Sequence, residues 1–279
     1  MAINNTKYKD ELVHKTLSCG EGRVRSKIRL IHICIWYKNI YKFSFILFLL
    51  FCFSFTADDT LKTLYSIKSK ADFFSTDNFG NTYLVKGEEI RKYNSTGDLL
   101  KIYSNKTMGK ITSIDASNSL RLLVFYKDFA SIIILDDLLS QNGDIINLMD
   151  LSLEQCDLVC TSFNNGMWFF NRQNANLIRL NDNLQTAVNT GNLNRLLGSD
   201  LKPNFILEYD GYVYLNNPTE GILVFDIYGT YSKTITIKGL QHFQVKDQGL
   251  IYFSEGVFKV DNVFVLNFSL SFFYFFSND

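Results

Sequence analysis

The sequence has no excess of either charge, few cysteines and almost no proline. Its 279 residues include 28 basic and 28 acidic side chains, five cysteines and two prolines. The balanced charge argues against a nucleic-acid-binding protein, which would carry a basic excess. Five cysteines are too few for a disulfide-stapled scaffold. An apolar content of 47% is typical of a globular protein and excludes wholesale disorder, collagen-like repeats and a coiled coil.

The sequence also lacks the common motifs of enzyme active sites. It contains no Gly-x-Ser-x-Gly elbow, no His-Glu-x-x-His helix and no glycine-rich phosphate loop. His242 is the only histidine after residue 32, and a single histidine is more typical of a surface or packing position than of a catalytic base. We therefore predict no catalytic residue, no metal ligand and no bound cofactor.

The first 57 residues have the parts of an export signal. Residues 1–42 hold nine basic and three acidic residues, and residues 43–55 read FSFILFLLFCFSF. A basic flank, a short apolar run and small residues after it are typical of a signal peptide. Thirteen residues fall short of the roughly 20 that span a bilayer, although residues 40–57 could serve as an uncleaved anchor.

The long stretch before this apolar run is unusual for a signal. Either residues 1–39 are a cytoplasmic tail on an anchor, or the true start lies nearer Tyr41 and the residues before it are not part of the protein, and we favour the second. Either way, we expect the protein outside the cytoplasmic membrane, secreted, periplasmic or anchored, with membrane contact only through residues 40–57.

The central part of the chain repeats itself. A turn residue followed by a short aromatic or aliphatic strand recurs five times, separated by 39, 47, 45 and 38 residues. The five turn anchors are Gly80, Ser119, Gly166, Gly211 and Gly249. Asn-Gly and Asp-Gly pairs at two of them are strong signals for tight hairpins.

A second short strand follows each anchor and ends in Asn or Asp. These residues are Asn94, Asp136, Asn181, Asp226 and Asp261. We interpret them as Asx turns, in which the side chain accepts a hydrogen bond from the backbone two residues on, rather than as a calcium site. Only residues 138–148 and 192–197 look able to form brief helices. A four-stranded unit at this period is the signature of a β-propeller blade, and the alternative fold is a β-sandwich.

The first unit carries the clearest family pattern. Its motif residues are Asp77, Gly80, Asn81, Tyr83, Leu84, Val85, Ile90, Lys92, Tyr93 and Gly97. This pattern resembles the repeat of NHL-type and related six-bladed propellers over residues 72–262, strongly in the first and fourth units and weakly in the second. The resemblance implies architecture only, because such propellers serve as scaffolds, sugar binders and lactonases.

The end of the chain departs from the repeat. Residues 263–276 read VFVLNFSLSFFYFF, without Gly, Pro or charge, which makes an aggregation-prone edge. We interpret residues 263–279 as an aberrant tail that replaces a missing last blade, and residues 61–67 as a strand that closes the ring. The predicted organisation is a basic extension (1–42), a signal or anchor (43–57), an all-β propeller (58–262) and a hydrophobic tail (263–279).

Two features bear on function. Cys156 and Cys160 are either two small buried strand residues or, if a turn separates them, a disulfide pair. The favoured function is a non-enzymatic binding or scaffold module for another protein or a cell-envelope component, with a contact surface that includes residues 136–150 and 188–203. The alternative is a hydrolase or lyase with a metal or carboxylates in the central channel.

Overall fold

The computed structural model describes residues 65–247 and 249–262. All of them fall in the unit from Leu61 to Asp279. The predicted extension (1–42), the signal or anchor (43–57) and the tail (263–279) lie outside the described residues. No helix within the described ranges is long and apolar enough to cross a membrane.

Five antiparallel sheets follow one another along the chain, and each is one blade. Blade 1 contains β1 (Phe73–Thr76), β2 (Thr82–Lys86), β3 (Glu89–Tyr93) and β4 (Leu99–Ser104). Blade 2 contains β5 (Ser113–Asp115), β6 (Leu122–Tyr126), β7 (Ser131–Leu135) and β8 (Ile146–Asn147). Blade 3 contains β9 (Cys156–Thr161), β10 (Met167–Asn171), β11 (Asn176–Leu180) and β12 (Thr186–Asn189).

The last two blades differ in their number of described strands. Blade 4 contains β13 (Phe205–Tyr209), β14 (Tyr212–Asn217), β15 (Gly221–Asp226) and β16 (Tyr231–Ile235). Blade 5 contains β17 (Phe243–Lys246), β18 (Gly249–Ser254) and β19 (Val257–Asn262). Strand order within every sheet follows chain order, so each blade is a meander, as the repeat predicted.

The apolar side chains pack between blades. Separate buried clusters lie between blades 1 and 2, 2 and 3, 3 and 4, and 4 and 5. The second and third strands of blades 2 and 3 are buried along their whole length, because both faces of each sheet meet a neighbour. This two-sided burial is why these strands read as continuous apolar runs rather than alternating ones.

The boundary between blade 5 and blade 1 is different. Gln244 on β17 donates from Nε2 to Oγ1 of Thr76 on β1 at 3.1 Å, which joins the last described blade to the first. The described residues form no apolar cluster at this boundary. Phe253 and Val260 instead leave 55% and 43% of their surface exposed. The described residues therefore form five blades, and the six-blade count that the resemblance implied is not supported.

Two sequence expectations about local structure need correction. Residues 138–148 form no helix, because Asp136 organises a turn there and Gln141 bridges to Leu135. The other expected helix is present as α1 (Leu193–Leu197). Residues 65–67 are not a strand. The hydroxyl of Tyr65 hydrogen-bonds Thr82 of blade 1, not the last blade.

Candidate functional site

Four of the five turn anchors lie in the turns that join the first and second strands of their blades, which we call the inner turns. Gly80, Ser119, Gly166 and Gly211 each fall inside such a turn. Gly249 is instead the first residue of β18 and pairs with Lys246. The fifth repeat is thus displaced by one residue from the position that sequence spacing assigned to it.

Inner turns of neighbouring blades bond to one another. Asn78 Nδ2 donates to the carbonyl of Ser117 at 3.1 Å, which links blades 1 and 2. The backbone N–H of Asp247 donates to the hydroxyl of Tyr209 at 3.2 Å, which links blades 5 and 4. Each contact joins an inner turn to the same end of a neighbouring blade, and Asp115 and Glu208 do the same for blade 3. All inner turns therefore lie at one end of the propeller, which we call the inner-turn face.

Asp115 fastens blade 2 to blade 3 at this face. Its Oδ2 accepts from the backbone N–H and from the hydroxyl of Thr161, both at 2.7 Å. Its Oδ1 accepts from the backbone N–H of Ser117 at 2.9 Å. Both carboxylate oxygens are therefore engaged within the protein.

Glu208 fastens blade 4 to blade 3 in the same way. Its Oε2 accepts from the indole N–H of Trp168 at 2.6 Å and from the hydroxyl of Ser162, and its Oε1 accepts from the backbone N–H of Phe163 at 2.9 Å. Arg179 completes the cluster, donating from Nε to Ser162 at 2.7 Å with its guanidinium over the Phe163 ring. Burial lowers the pKa of Arg179, and the nearby charge of Glu208 opposes that effect.

Asp77 has a local role in blade 1. Its Oδ1 accepts from the backbone N–H groups of Phe79 and Asn81, each at 2.9 Å. Its Oδ2 accepts from the hydroxyl of Tyr83 at 3.0 Å. Desolvation, strengthened by this hydrogen bond, raises the pKa of Tyr83 above its ordinary value.

These inner-turn carboxylates are structural acceptors. Asp77, Asp115 and Glu208 each accept at least three hydrogen bonds from the protein. Within the described part of the chain, no three His, Cys, Asp or Glu side chains are grouped as metal ligands would be. Asp115 and Glu208 use these hydrogen bonds to join neighbouring blades, whereas Asp77 uses them within blade 1.

The sequence analysis missed this network, although a signal for it exists. Asp77, Asp115, Ser162 and Glu208 each stand three or four residues before an anchor. A polar residue recurring at that offset marks the end of the first strand, where neighbouring blades meet. The individual partners could not be read from the offset, because they lie 40 and 46 residues apart in sequence.

The predicted Asx turns are confirmed in four blades. The Oδ1 atoms of Asn94, Asp136, Asn181 and Asp226 each accept from the backbone N–H groups two and four residues on. Asp261 does not fit this pattern, because it lies within β19 and its carboxylate accepts from the Tyr252 hydroxyl at 2.7 Å.

Cys156 and Cys160 are free, buried thiols on one strand, β9. An extra residue, Asp157, interrupts the pairing of β9 with β10 between them. The resulting bulge turns the two side chains to opposite faces of the sheet, with Cys156 in the cluster between blades 2 and 3 and Cys160 in the cluster between blades 3 and 4. The structure therefore does not bring the two sulfurs together as a disulfide.

We expect both thiols to resist alkylation in the folded chain. Burial raises the pKa of Cys156 to about 12 and also raises that of Cys160. Because an ordinary thiol has a pKa of about 8.5, the thiolate fraction of Cys156 near pH 8 falls roughly a thousandfold. Iodoacetamide treatment followed by peptide mapping should leave both cysteines unmodified until urea is added. Rapid modification of Cys156 in the native chain would contradict this expectation.

The aromatic strand residues are packing groups. Trp168, Phe169 and Tyr214 are fully buried and belong to the apolar clusters between blades. His242 packs edge-on against the ring of Phe205, with centroids 5.2 Å apart. Partial burial lowers the pKa of His242, which favours the neutral form of the ring.

The opposite end of the propeller carries the connections between blades, and we call it the connection face. In an antiparallel meander, the turn between the second and third strands lies at the same end of the blade as the connection that follows the fourth strand. In blade 3 this turn is residues 172–175. The N–H of Arg172 donates to the carbonyl of Gln155 at 3.1 Å, and the N–H of Leu193 donates to the carbonyl of Ala175 at 2.7 Å. The connections before and after blade 3 therefore flank one turn and form a continuous surface.

Two large apolar side chains project from these connections. Met149 is 63% exposed and Leu196, on α1, is 60% exposed. Both lie in the segments 136–150 and 188–203 that lengthen the second and third repeats. Leu138 is also exposed but belongs to the turn between β7 and β8, which places it toward the inner-turn face. The two inserted segments therefore lie only partly on the connection face, since Met149 and Leu196 are there and Leu138 is not.

The fold and these surfaces define a five-bladed β-propeller. No family model and no curated protein matches the chain. Solved structures with a similar fold include the Pan2 WD40 domain of Neurospora crassa, with 9% identity over 69% of this chain and 62% of that one at a TM-score of 0.49. Virginiamycin B lyase from Staphylococcus aureus matches with 14% identity over 67% of this chain and 64% of that one at a TM-score of 0.48.

A third similar structure is BBS1N, solved in complex with ARL6DN. It shows 12% identity over 71% of this chain and 66% of that one, at a TM-score of 0.49. In each case this chain spans less than two thirds of the other protein's resolved length. Likenesses at this level carry no argument about activity, and the propeller assignment rests on the strand order of the five sheets.

Proposed function

We propose that the chain is an exported, non-enzymatic binding module of the NHL-like kind. Its contact surface is the part of the connection face formed by the insertions around blade 3. The observation that carries this proposal is the exposure of Met149 and Leu196 in the two connections that hydrogen-bond the turn at residues 172–175. Insertions on one face of a repeat fold are often its binding surface.

Export is part of the same proposal and rests on the sequence. The basic flank and the apolar run at residues 43–55 are typical of a signal or anchor. A propeller beyond the membrane would meet another secreted protein or a component of the cell envelope.

The enzymatic alternative needs free polar groups converging on the channel. The inner-turn carboxylates that meet across blades, Asp115 and Glu208, accept hydrogen bonds from Thr161, Ser162 and Trp168. If either carboxylate took part in catalysis instead, it would lose hydrogen bonds that join two neighbouring blades. Stoichiometric calcium or zinc in the purified protein would nevertheless favour the alternative.

The test compares two variants of a C-terminally tagged chain in intact cells, using a membrane-impermeant crosslinker. The variant Met149→Ser/Leu196→Ser should lose roughly tenfold of the crosslinked adduct, because one well-packed apolar contact contributes more than about 1 kcal/mol to binding. The control Leu120→Ser removes a leucine that is 65% exposed on the inner-turn face and should leave the adduct unchanged. If the two variants gave equal amounts of crosslinked adduct, the proposed contact surface would be wrong. If the tag were found only in the cytosol, the proposed export would be wrong.

A further inference from the structure

Two asparagines of blade 1 stand in the acceptor pattern for N-linked glycosylation. The pattern Asn-x-Ser/Thr, with x other than proline, occurs at residues 4, 94, 105 and 267. The first and last of these lie outside the described residues. Asn94 lies in the turn that leads into β4, and Asn105 follows the last residue of β4. One acceptor pattern therefore stands at each end of this strand.

Both asparagines make the same contact with the threonine that completes the pattern. Oγ1 of Thr96 donates to Oδ1 of Asn94, and Oγ1 of Thr107 donates to Oδ1 of Asn105, each at 2.7 Å. Both threonines are exposed. Nδ2, the atom that carries the sugar, donates to Asp98 at 3.1 Å in Asn94. In Asn105 it has no hydrogen-bond partner among the described residues. Each Nδ2 atom therefore has at least one N–H that is not used within the described chain.

The pattern is missing where a glycan would have no room. The buried asparagines of the described chain are Asn171, Asn176, Asn216 and Asn217. The first three have no Ser or Thr two residues on. Asn217 has Thr219 at that spacing, but Pro218 stands between them and removes the pattern. Asn94 and Asn105 are instead half-buried, with exposed residues after them, so an attached oligosaccharide can extend into solvent.

The strand between the two patterns has an unusual surface. β4 is the outer strand of blade 1, and Leu99, Leu100 and Ile102 leave 48%, 46% and 52% of their surface exposed. In the described outer strands of blades 2, 3 and 4, which are β8, β12 and β16, no large apolar side chain is exposed. An apolar edge strand is a template for pairing with another chain, and natural proteins cover or charge such edges.

We propose that Asn94 and Asn105 are N-glycosylated and that the two glycans, which are bulky and solubilising, cover the apolar edge of β4. This inference rests on the proposed export, because the modification belongs to secreted proteins. The donor is an oligosaccharide joined to a lipid through a diphosphate. A bond forms between Nδ2 and the anomeric carbon of the first sugar, and the bond from that carbon to the phosphate oxygen breaks. The lipid diphosphate leaves, and one Nδ2 proton passes to a base of the transferase.

Site-by-site mass spectrometry of the full chain tests the two acceptors. The chain is expressed in a eukaryotic cell with a C-terminal tag that contains its own efficient glycosylation sequence. Release of the glycans by peptide N-glycosidase in heavy-oxygen water converts each modified asparagine to labelled aspartate, and peptide mapping measures each site by itself. We expect label at residues 94 and 105 and in the tag.

The tag distinguishes this inference from the proposed export. If the tag were modified and residues 94 and 105 were not, the export would stand and the glycosylation would be wrong. If the tag were unmodified, the chain would not have crossed the membrane, and both proposals would be wrong.

Threonine variants provide the matched comparison. Thr96→Val and Thr107→Val remove the hydroxyl but keep the backbone N–H that donates to each asparagine at 3.0 and 3.1 Å, and circular dichroism checks that both variants are folded. Each variant should lose the modification at its own asparagine only, whereas Thr96→Ser and Thr107→Ser should retain it. Modification that persisted in the valine variants would overturn the assignment of these acceptor patterns.

Size-exclusion chromatography tests the covering of β4. The double valine variant should contain a larger aggregated fraction than the double serine variant. Adding Ile102→Thr to the double valine variant should restore the monomer, because it removes an exposed apolar side chain from the edge of β4. Equal monomer fractions in the valine and serine variants, or no recovery with Ile102→Thr, would show that the glycans do not cover this edge.

Discussion

Replacing Trp168 with alanine should lower the free energy of unfolding by about 3–5 kcal/mol. The indole is fully buried in the cluster between blades 3 and 4, so its removal leaves a cavity in that cluster. The indole N–H also donates a hydrogen bond to Glu208 at 2.6 Å, and Glu208 joins blades 3 and 4. The substitution therefore removes one of the hydrogen bonds that this carboxylate accepts.

The measurement is urea unfolding followed by far-UV circular dichroism. Tyr228→Ala is the control, since Tyr228 is 74% exposed and its loss should change stability by no more than about 0.5 kcal/mol. If Trp168→Ala cost as little as the control, the boundary between blades 3 and 4 would not contribute to the cooperative unit.

Two glycines of blade 4 should differ sharply on replacement by alanine. Gly221 begins β15 with a φ of +118°, and a Cβ there would lie 2.2 Å from the carbonyl oxygen of Ile235. Gly211, in the inner turn, has a φ of +77° and no atom within 4 Å of that position. We expect Gly211→Ala to cost about 1–2 kcal/mol from the left-handed backbone alone.

Gly221→Ala should cost at least about 3 kcal/mol, because the backbone of β16 must also move to admit the methyl group. Thermal and urea unfolding of the two variants measure the difference directly. Similar losses in both would show that the close approach of β15 and β16 at Gly221 is easily relieved.

Among the described residues, four blade boundaries contain buried apolar clusters, and the described contacts between blades 5 and 1 include the hydrogen bond between Gln244 and Thr76. Burial contributes about 25 cal/mol per Å² of apolar surface, so these clusters supply a large part of the free energy that holds blades 1 to 5 side by side.

Much of the blade structure could be predicted because its causes are local. An Asx side chain bonds backbone only two and four residues away, as Asn94 and Asp226 do. Tight turns at Asp210 and Gly211 likewise depend on two residues that tolerate positive φ. Such interactions lie within a few residues, so the repeat of strands, their order and four Asx turns followed from the sequence.

Other features depended on a single extra residue or on distant partners. The bulge at Asp157 decided that Cys156 and Cys160 face different clusters, and no spacing rule shows where a bulge falls. The fifth repeat is displaced by one residue, because Gly249 is a strand residue and Asn262, not Asp261, ends β19.

The sequence by itself thus determined a propeller built from short meanders, whose turns are set by neighbouring residues. The tertiary structure decided which blades touch and through which atoms. Asp115 meets Thr161, and Glu208 meets Trp168, only because the blades curve round and set their inner turns side by side. The number of blades also depends on this curvature, since the angle between adjacent sheets is set by the side chains packed between them and not by the length of the repeat.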